Sequence, residues 1–294
     1  MERLKGLLFG AFVGDAYALG LHWVYDTDKI KLEADKLEGY MSPLKDSFHQ
    51  GKRKGEFTHY GDQSLLLLKS ISTNHGFELD LFKTHWVTYM SKYEGYMDHA
   101  SKESLVMLDN GTHSGSSSDE LGGFSRVAPL IFYHFDDPDL FKLVEKHTRL
   151  THNNDTLVLF GRFITELTLE LIIGKPLIES IENLVLEYPF VKKFYDKLIH
   201  RLDEDTTEVI KDVGQSCSCQ FAFPSMLYLM LKYPDDFMEA MRQNVLAGGD
   251  SAGRGMILGM VLGTAKGYSN LPQDLVKALK AYDIIHTFTQ HKMI

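Results

Sequence analysis

The chain has 294 residues, 44% of them hydrophobic and 24% charged, an ordinary balance for a globular protein and enough to bury a large core. A net charge of −9 with no run of Lys and Arg argues against a general nucleic-acid surface, although backbone amides can still bind a phosphate-bearing small ligand. Two cysteines, Cys217 and Cys219, are too few for a disulfide framework and lack the pattern of a zinc site, so a reducing cytoplasmic setting is expected.

Residues 4–14 read as a buried helix carrying Gly6, Gly10 and Gly14 on one ridge, followed at once by Asp15. The apolar stretch around it is broken by Asp15 and lacks a cleavage pattern, so neither a leader peptide nor a membrane span is expected. Residues 17–27 are aromatic-rich and should return across the core. Residues 44–59 are polar and loop-like, with the basic triplet at 52–54 read as a solvated loop. Tyr60-Gly-Asp-Gln-Ser then opens an apolar helix, with Asp62 placed to cap it.

Residues 79–93 form an amphipathic helix with Phe82, Trp86 and Tyr89 or Met90 at helical spacing. The polar stretch from Ser101 to Gly123 reads as one long loop, a length that marks function or mobility. Apolar helices follow from Arg126, over 139–150 and 155–173, and over 177–186. A charged helical stretch runs through 190–211, then helices 221–232 and 235–247. Period-two strands are absent from the pattern. The expected fold is all-α, and no boundary argues for more than one domain over residues 1–294.

Gly248-Gly-Asp-Ser-Ala-Gly closes the set, leading into a helix with Gly255, Gly259, Gly263 and Gly267 again on one ridge. A glycine costs about 1 kcal/mol against alanine in a helix interior, so such a ridge implies another backbone packed close. If the two ridges pack antiparallel, the end of the first helix meets the start of the second and Asp15 lies near Asp250.

Four segments in this order resemble the ADP-ribosylglycohydrolase family: Gly10-Ala-Phe-Val-Gly-Asp-Ala; Tyr60-Gly-Asp-Gln-Ser; Gly122-Gly-Phe-Ser-Arg-Val-Ala-Pro-Leu with Thr151-His; and Gly248-Gly-Asp-Ser with its glycine helix. The resemblance spans nearly the whole chain. It implies an all-α, orthogonally packed bundle that hydrolyses an N- or O-glycosidic bond to the ribose of an ADP-ribosyl or related substrate. That partner would be a ribosyl-linked small molecule or a modified protein, with no nucleic acid and no membrane. It also implies Mg2+ bound by a Thr-Asp-Asp-Thr run and an Asp-Thr-Asp-Thr run, with a glutamate seven residues after the first Gly-Asp.

The chain departs at each of those places. The first run falls on Tyr60, Gly61, Asp62 and Gln63, the last on Asp250, Ser251, Ala252 and Gly253, and the glutamate position on His22. Magnesium needs oxygen ligands and sheds water reluctantly, so a fully occupied two-ion centre is not expected. At most one ion is, held by Asp62, Asp250 and Ser251. The resemblance makes Asp62, Asp250 and His22 the catalytic candidates, and Gly122, Gly123 and His152 the substrate-binding ones. His22, beside Trp23 and Tyr25, reads equally as a packed core histidine, and Asp62 and Asp250 as helix caps. The superfamily includes jellyfish lens crystallins, so a non-catalytic descendant, or a hydrolase with changed metal-poor chemistry, stands as the alternative.

Overall fold

A computed structural model describes residues 1–292. These residues form seventeen α-helices and three short 3-10 turns, with no strand and only two isolated bridges, Ser116 with His152 and Glu120 with Ser218. The fold is all-α, as the periodicity predicts.

At its centre lie the helices Glu2–Ala18 and Ser251–Lys266, both almost wholly buried. They are antiparallel, and the glycine ridges face each other. A Cβ added at Gly6 would lie 2.0 Å from the Gly263 carbonyl oxygen, one at Gly10 2.1 Å from that of Gly259, and one at Gly14 2.0 Å from that of Gly255. Without side chains on this seam the backbones touch, and helices from along the chain, among them Asp155–Ile172, Cys219–Lys232 and Phe237–Leu246, pack directly against the pair. The first helix with the 3-10 turn that continues it, Glu2–Leu21, is also long and apolar enough to cross a membrane, but 94% of that window is buried inside the fold, where it serves as core.

Several boundaries differ from the sequence reading for identifiable reasons. The stretch Ser101 to Gly123 is not one loop, because Asp98 accepts the Ser101 amide hydrogen at 2.6 Å and caps a helix over His99–Asp109. The charged stretch 190–211 is two helices, Pro189–Leu198 and Thr206–Val213, the second capped by Asp205. Asp62 is not the cap of its helix. Thr58 caps His59–Asn74 by accepting the Tyr60 amide hydrogen, and Asp62 lies within the first turn.

Candidate functional site

The central seam fixes the site. Where the first helix ends, buried Asp15 accepts hydrogen bonds from the Thr58 amide at 2.8 Å and the Thr58 hydroxyl at 2.5 Å. Gly61 has no Cβ, which leaves room for that carboxylate; a Cβ there would lie 2.5 Å from Asp15 Oδ2. Asp15 therefore ties the capping residue of the His59–Asn74 helix to the central pair and does not pair with Asp250. Burial pushes its carboxyl up to about 6, against the pull of the Thr58 bonds.

Opposite, Gly248 and Gly249 both take positive φ, 73° and 70°, and turn the chain so that Asp250 caps the Ser251–Lys266 helix, accepting the Gly253 amide hydrogen at 3.2 Å. The turn is pinned to the segment after the first helix, since Trp23 donates to the Gly249 carbonyl and Gly249 to the Val24 carbonyl. It is also pinned by the buried Arg254 guanidinium, which donates to the Asn244 side chain and to the Gly248 carbonyl. His22 is thereby held with Nδ1 accepting the Ala252 amide hydrogen at 3.2 Å and lying 3.7 Å from Asp250 Oδ1.

Around Asp250 and His22 the fold closes a polar chamber. Tyr60 meets His22 edge-on, 5.8 Å between ring centroids, and packs against Gly122, where a Cβ would lie 2.2 Å from the Tyr60 ring. His152 packs on Gly123 in the same way, accepts from or donates to Thr151 Oγ1, and approaches Glu120 at 3.9 Å. The two glycines thus make room for the site's rings. Arg126 bonds Gln63, Thr151 and the Gly123 carbonyl, holding the chamber's walls together.

His22 Nε2, Tyr60 Oη, Glu120 Oε2, His152 Nε2, Asp250 Oδ2 and Ser251 Oγ are all buried without a hydrogen-bond partner among the described residues. Buried polar groups are normally paired, and leaving one unpaired costs roughly 1–3 kcal/mol. This concentration of open donors and acceptors marks a place where a ligand or water belongs. Its mouth is aromatic: Trp23, held at φ 61°, stacks on His22 at 4.4 Å and meets Phe48 and Tyr96 edge-on. A cleft of about 350 Å³ opens there, with His22, Trp23, Tyr25 and Phe48 in its walls.

Asp62 turns elsewhere. Its Oδ2 accepts from Lys52 Nζ and from the Tyr93 hydroxyl, each at 2.5 Å, in a separately lined cleft of about 690 Å³ with Tyr89 and Lys92. The structure brings Asp250, Ser251 and His22 together and gives Asp62 a cation of its own. The expected magnesium ligands therefore do not fit that ion. Asp250 Oδ2 and Ser251 Oγ are open, but Asp62 is neutralised by Lys52, and the other open donors include imidazole nitrogens that magnesium does not favour.

Sequence reasoning missed His49, His59, Asp98, Glu120 and Arg254. His59 Nε2 lies 2.9 Å from Asp98 Oδ2, and its Nδ1 lies 3.2 Å from His49 Nε2. Burial pushes Asp98 up, but the bonded His59, together with His152 and Ser101, outweighs it and holds the carboxyl well below the usual range. The signal available was the pair His59-Tyr60 directly ahead of Gly61-Asp62.

Electrostatics give the chamber a pH signature. Burial pushes Asp250 from 3.8 up to about 6, against the pull of Arg254 and of the Gly253 amide. A carboxyl raised in the fold contributes stability that is whole below its unfolded value and lost as pH rises through the folded one. Here that loss falls between about pH 4 and 6 and is on the order of 3 kcal/mol. Buried His22 and His49 act in the opposite sense, burial holding both rings neutral, so stability falls as pH drops below their ordinary 6.5. The difference between two proteins isolates the carboxyl. Asp250→Asn keeps the cap, and its thermal midpoint should exceed that of the unaltered chain at pH 8 while matching it near pH 4. Equal midpoints at both pH values would mean that Asp250 is not buried as described.

Comparison with known proteins agrees with this architecture. A sequence model of the family described as ADP-ribosylglycohydrolase matches residues 1–293. Two proteins of Tripedalia cystophora are similar at 21% identity: Crystallin J1A, over 94% of this chain and 91% of its own length, and Crystallin J1B, over 98% and 96%. A solved structure described as an ADP-ribosylglycohydrolase-related protein complex superposes with a TM-score of 0.71 at 20% identity, covering 99% of this chain and 96% of its own. Because that family model matches nearly the whole chain, the chain belongs to the ADP-ribosylglycohydrolase family.

Proposed function

We propose that the chain is a hydrolase that cleaves an N- or O-glycosidic bond to ribose in an ADP-ribosyl or related substrate, using Asp250 rather than a pair of magnesium ions. The observation that supports this best is the ring of unpartnered polar atoms around Asp250. A protein kept only for packing or refraction gains nothing from burying six such atoms in one place. In this reading Asp250 Oδ2 takes a proton from water. The water oxygen bonds to the anomeric carbon as the bond to the leaving nitrogen or oxygen breaks; the leaving atom takes a proton from solvent, to which Asp250 afterwards returns its own. Tyr60 and His22 line the ribose side, and the aromatic mouth at Trp23 and Phe48 receives the flat part of the substrate. Ser251 is a hydrogen-bonding wall residue. Asp62 is assigned a holding role with Lys52 and Tyr93.

The test is turnover of a panel of ADP-ribosylated peptides and ribosyl-linked small molecules, with magnesium and with chelator. Hydrolysis of at least one substrate is expected, changing by no more than about twofold when magnesium is removed, because no well-formed oxygen cage is present to lose. Complete dependence on magnesium would overturn the metal-poor mechanism. Silence across the panel would favour the non-catalytic reading, which the similarity to two crystallins makes specific.

A further inference from the structure

We propose that His22, His49 and His59 form a site for a single zinc ion, with Asp98 orienting His59 from behind. One nitrogen from each ring lies within 4.8 Å of the other two, and all three side chains are buried. They arrive from three separate places: the turn after the first helix, the loop before residue 58, and the first turn of His59–Asn74.

The spacing is that of ligands. His49 Nε2 and His59 Nδ1 are 3.2 Å apart. Two nitrogens on a tetrahedral ion at about 2.0–2.1 Å stand roughly 3.3–3.4 Å from each other, close to the separation of this pair. His22 completes the set by a modest approach of its ring. The second shell is present as well. A metal-bound histidine characteristically gives its other N–H to a carboxylate, and His59 Nε2 is 2.9 Å from Asp98 Oδ2. Asp98 is itself fixed by the Ser101 amide. If His22 binds through its unpartnered Nε2, the ring proton moves to Nδ1, where Asp250 Oδ1 waits at 3.7 Å. The ring then has to turn away from the Ala252 amide hydrogen, which loses its acceptor.

A chain of hydrogen bonds from Asp98 through His59 to His49 is the competing explanation. It accounts for two rings but leaves His22 Nε2 buried and unpaired. Three neutral imidazoles suit zinc and disfavour magnesium, which takes oxygen ligands. Three protein ligands also leave the fourth position open, the pattern of a reactive rather than a structural zinc site. A cleft walled by His22, Trp23 and Phe48 reaches one of the three ligands. The site stands on these rings alone, so a chain that hydrolyses nothing would still bind the ion.

The experiment is metal binding to the full chain after chelator treatment, with Zn2+ followed by calorimetry and Co2+ by its visible absorption. One equivalent is expected, with Co2+ bands of a four- or five-coordinate site and no competition from Mg2+. His49→Ala and His59→Ala should each weaken Zn2+ binding by at least about 100-fold, and Asp98→Asn by about 10–100-fold. His99→Ala, at an exposed histidine, should change nothing. If His59→Ala does not fold, His49→Gln, checked by circular dichroism, carries the test. No Zn2+ uptake, or uptake equally tight in folded His49→Gln, would overturn the proposal.

Discussion

Replacing Gly10 by alanine should cost the fold about 3 kcal/mol or more, lowering the thermal midpoint by roughly 6–12 °C for a chain of this size. The new Cβ would sit 2.1 Å from the Gly259 oxygen, 2.9 Å from its carbonyl carbon and 3.2 Å from Gly263 Cα, every one a backbone atom. No rotamer relieves such a clash; the two central helices must separate. Alanine's helix propensity returns only about 1 kcal/mol. Because Asp15 and Asp250 hang from the ends of this seam, separation would also disturb the chamber, so ligand binding should fall with stability. Gly39→Ala is the control: nothing lies within 4 Å of its Cβ and its φ is −155°, so a change within about 0.5 kcal/mol is expected. Equal melting of both variants and the unaltered chain would show that the seam is not packed backbone to backbone.

Asp250→Asn should remove hydrolysis while keeping the fold. The amide oxygen still accepts the Gly253 amide hydrogen, and the volume is unchanged, so the turn and the helix start survive. The proton acceptor is lost. Loss of a positioned general base typically costs about 10²–10⁴-fold, which sets the expected fall in kcat/KM. In the unaltered chain the base becomes competent as its buried carboxyl ionises, so kcat/KM should climb through about pH 6 and level above it. The same substitution stabilises the chain at pH 8. A residue whose replacement gains stability and loses activity is held in place by function, in keeping with the general trade-off between the two.

Much of the scaffold was legible in the residues. The two glycine ridges repeat at helical spacing, and close backbone packing is the physical reason for four such residues on one face. Gly6, Gly10 and Gly14 do meet Gly263, Gly259 and Gly255. The antiparallel sense follows from it; of the groups at the joint, Asp15 bonds Thr58, and it is His22, placed only by the family resemblance, that lies 3.7 Å from Asp250 Oδ1. Orientation within a turn was not legible. Motif order placed Asp62 beside Asp250, but a helix rotates about 100° per residue, so Tyr60, two positions earlier, points about 200° away from Asp62. Tyr60 faces the chamber; Asp62 faces Lys52. The histidine cluster left no periodic trace either, because His22, His49 and His59 come from a turn, a loop and a helix start whose meeting depends on tertiary packing. Polar composition around 101–109 hid a helix, since one capping carboxylate at Asp98 outweighs the loop-like pattern.

The most direct test of this account compares kcat/KM of Asp250→Asn and Asp62→Asn on the same ribosyl substrate, with both proteins confirmed folded. The chamber assignment predicts a loss near 10³-fold for Asp250→Asn and less than about threefold for Asp62→Asn. A large loss at Asp62 with little at Asp250 would place the chemistry in the Lys52–Tyr93 cleft and contradict it.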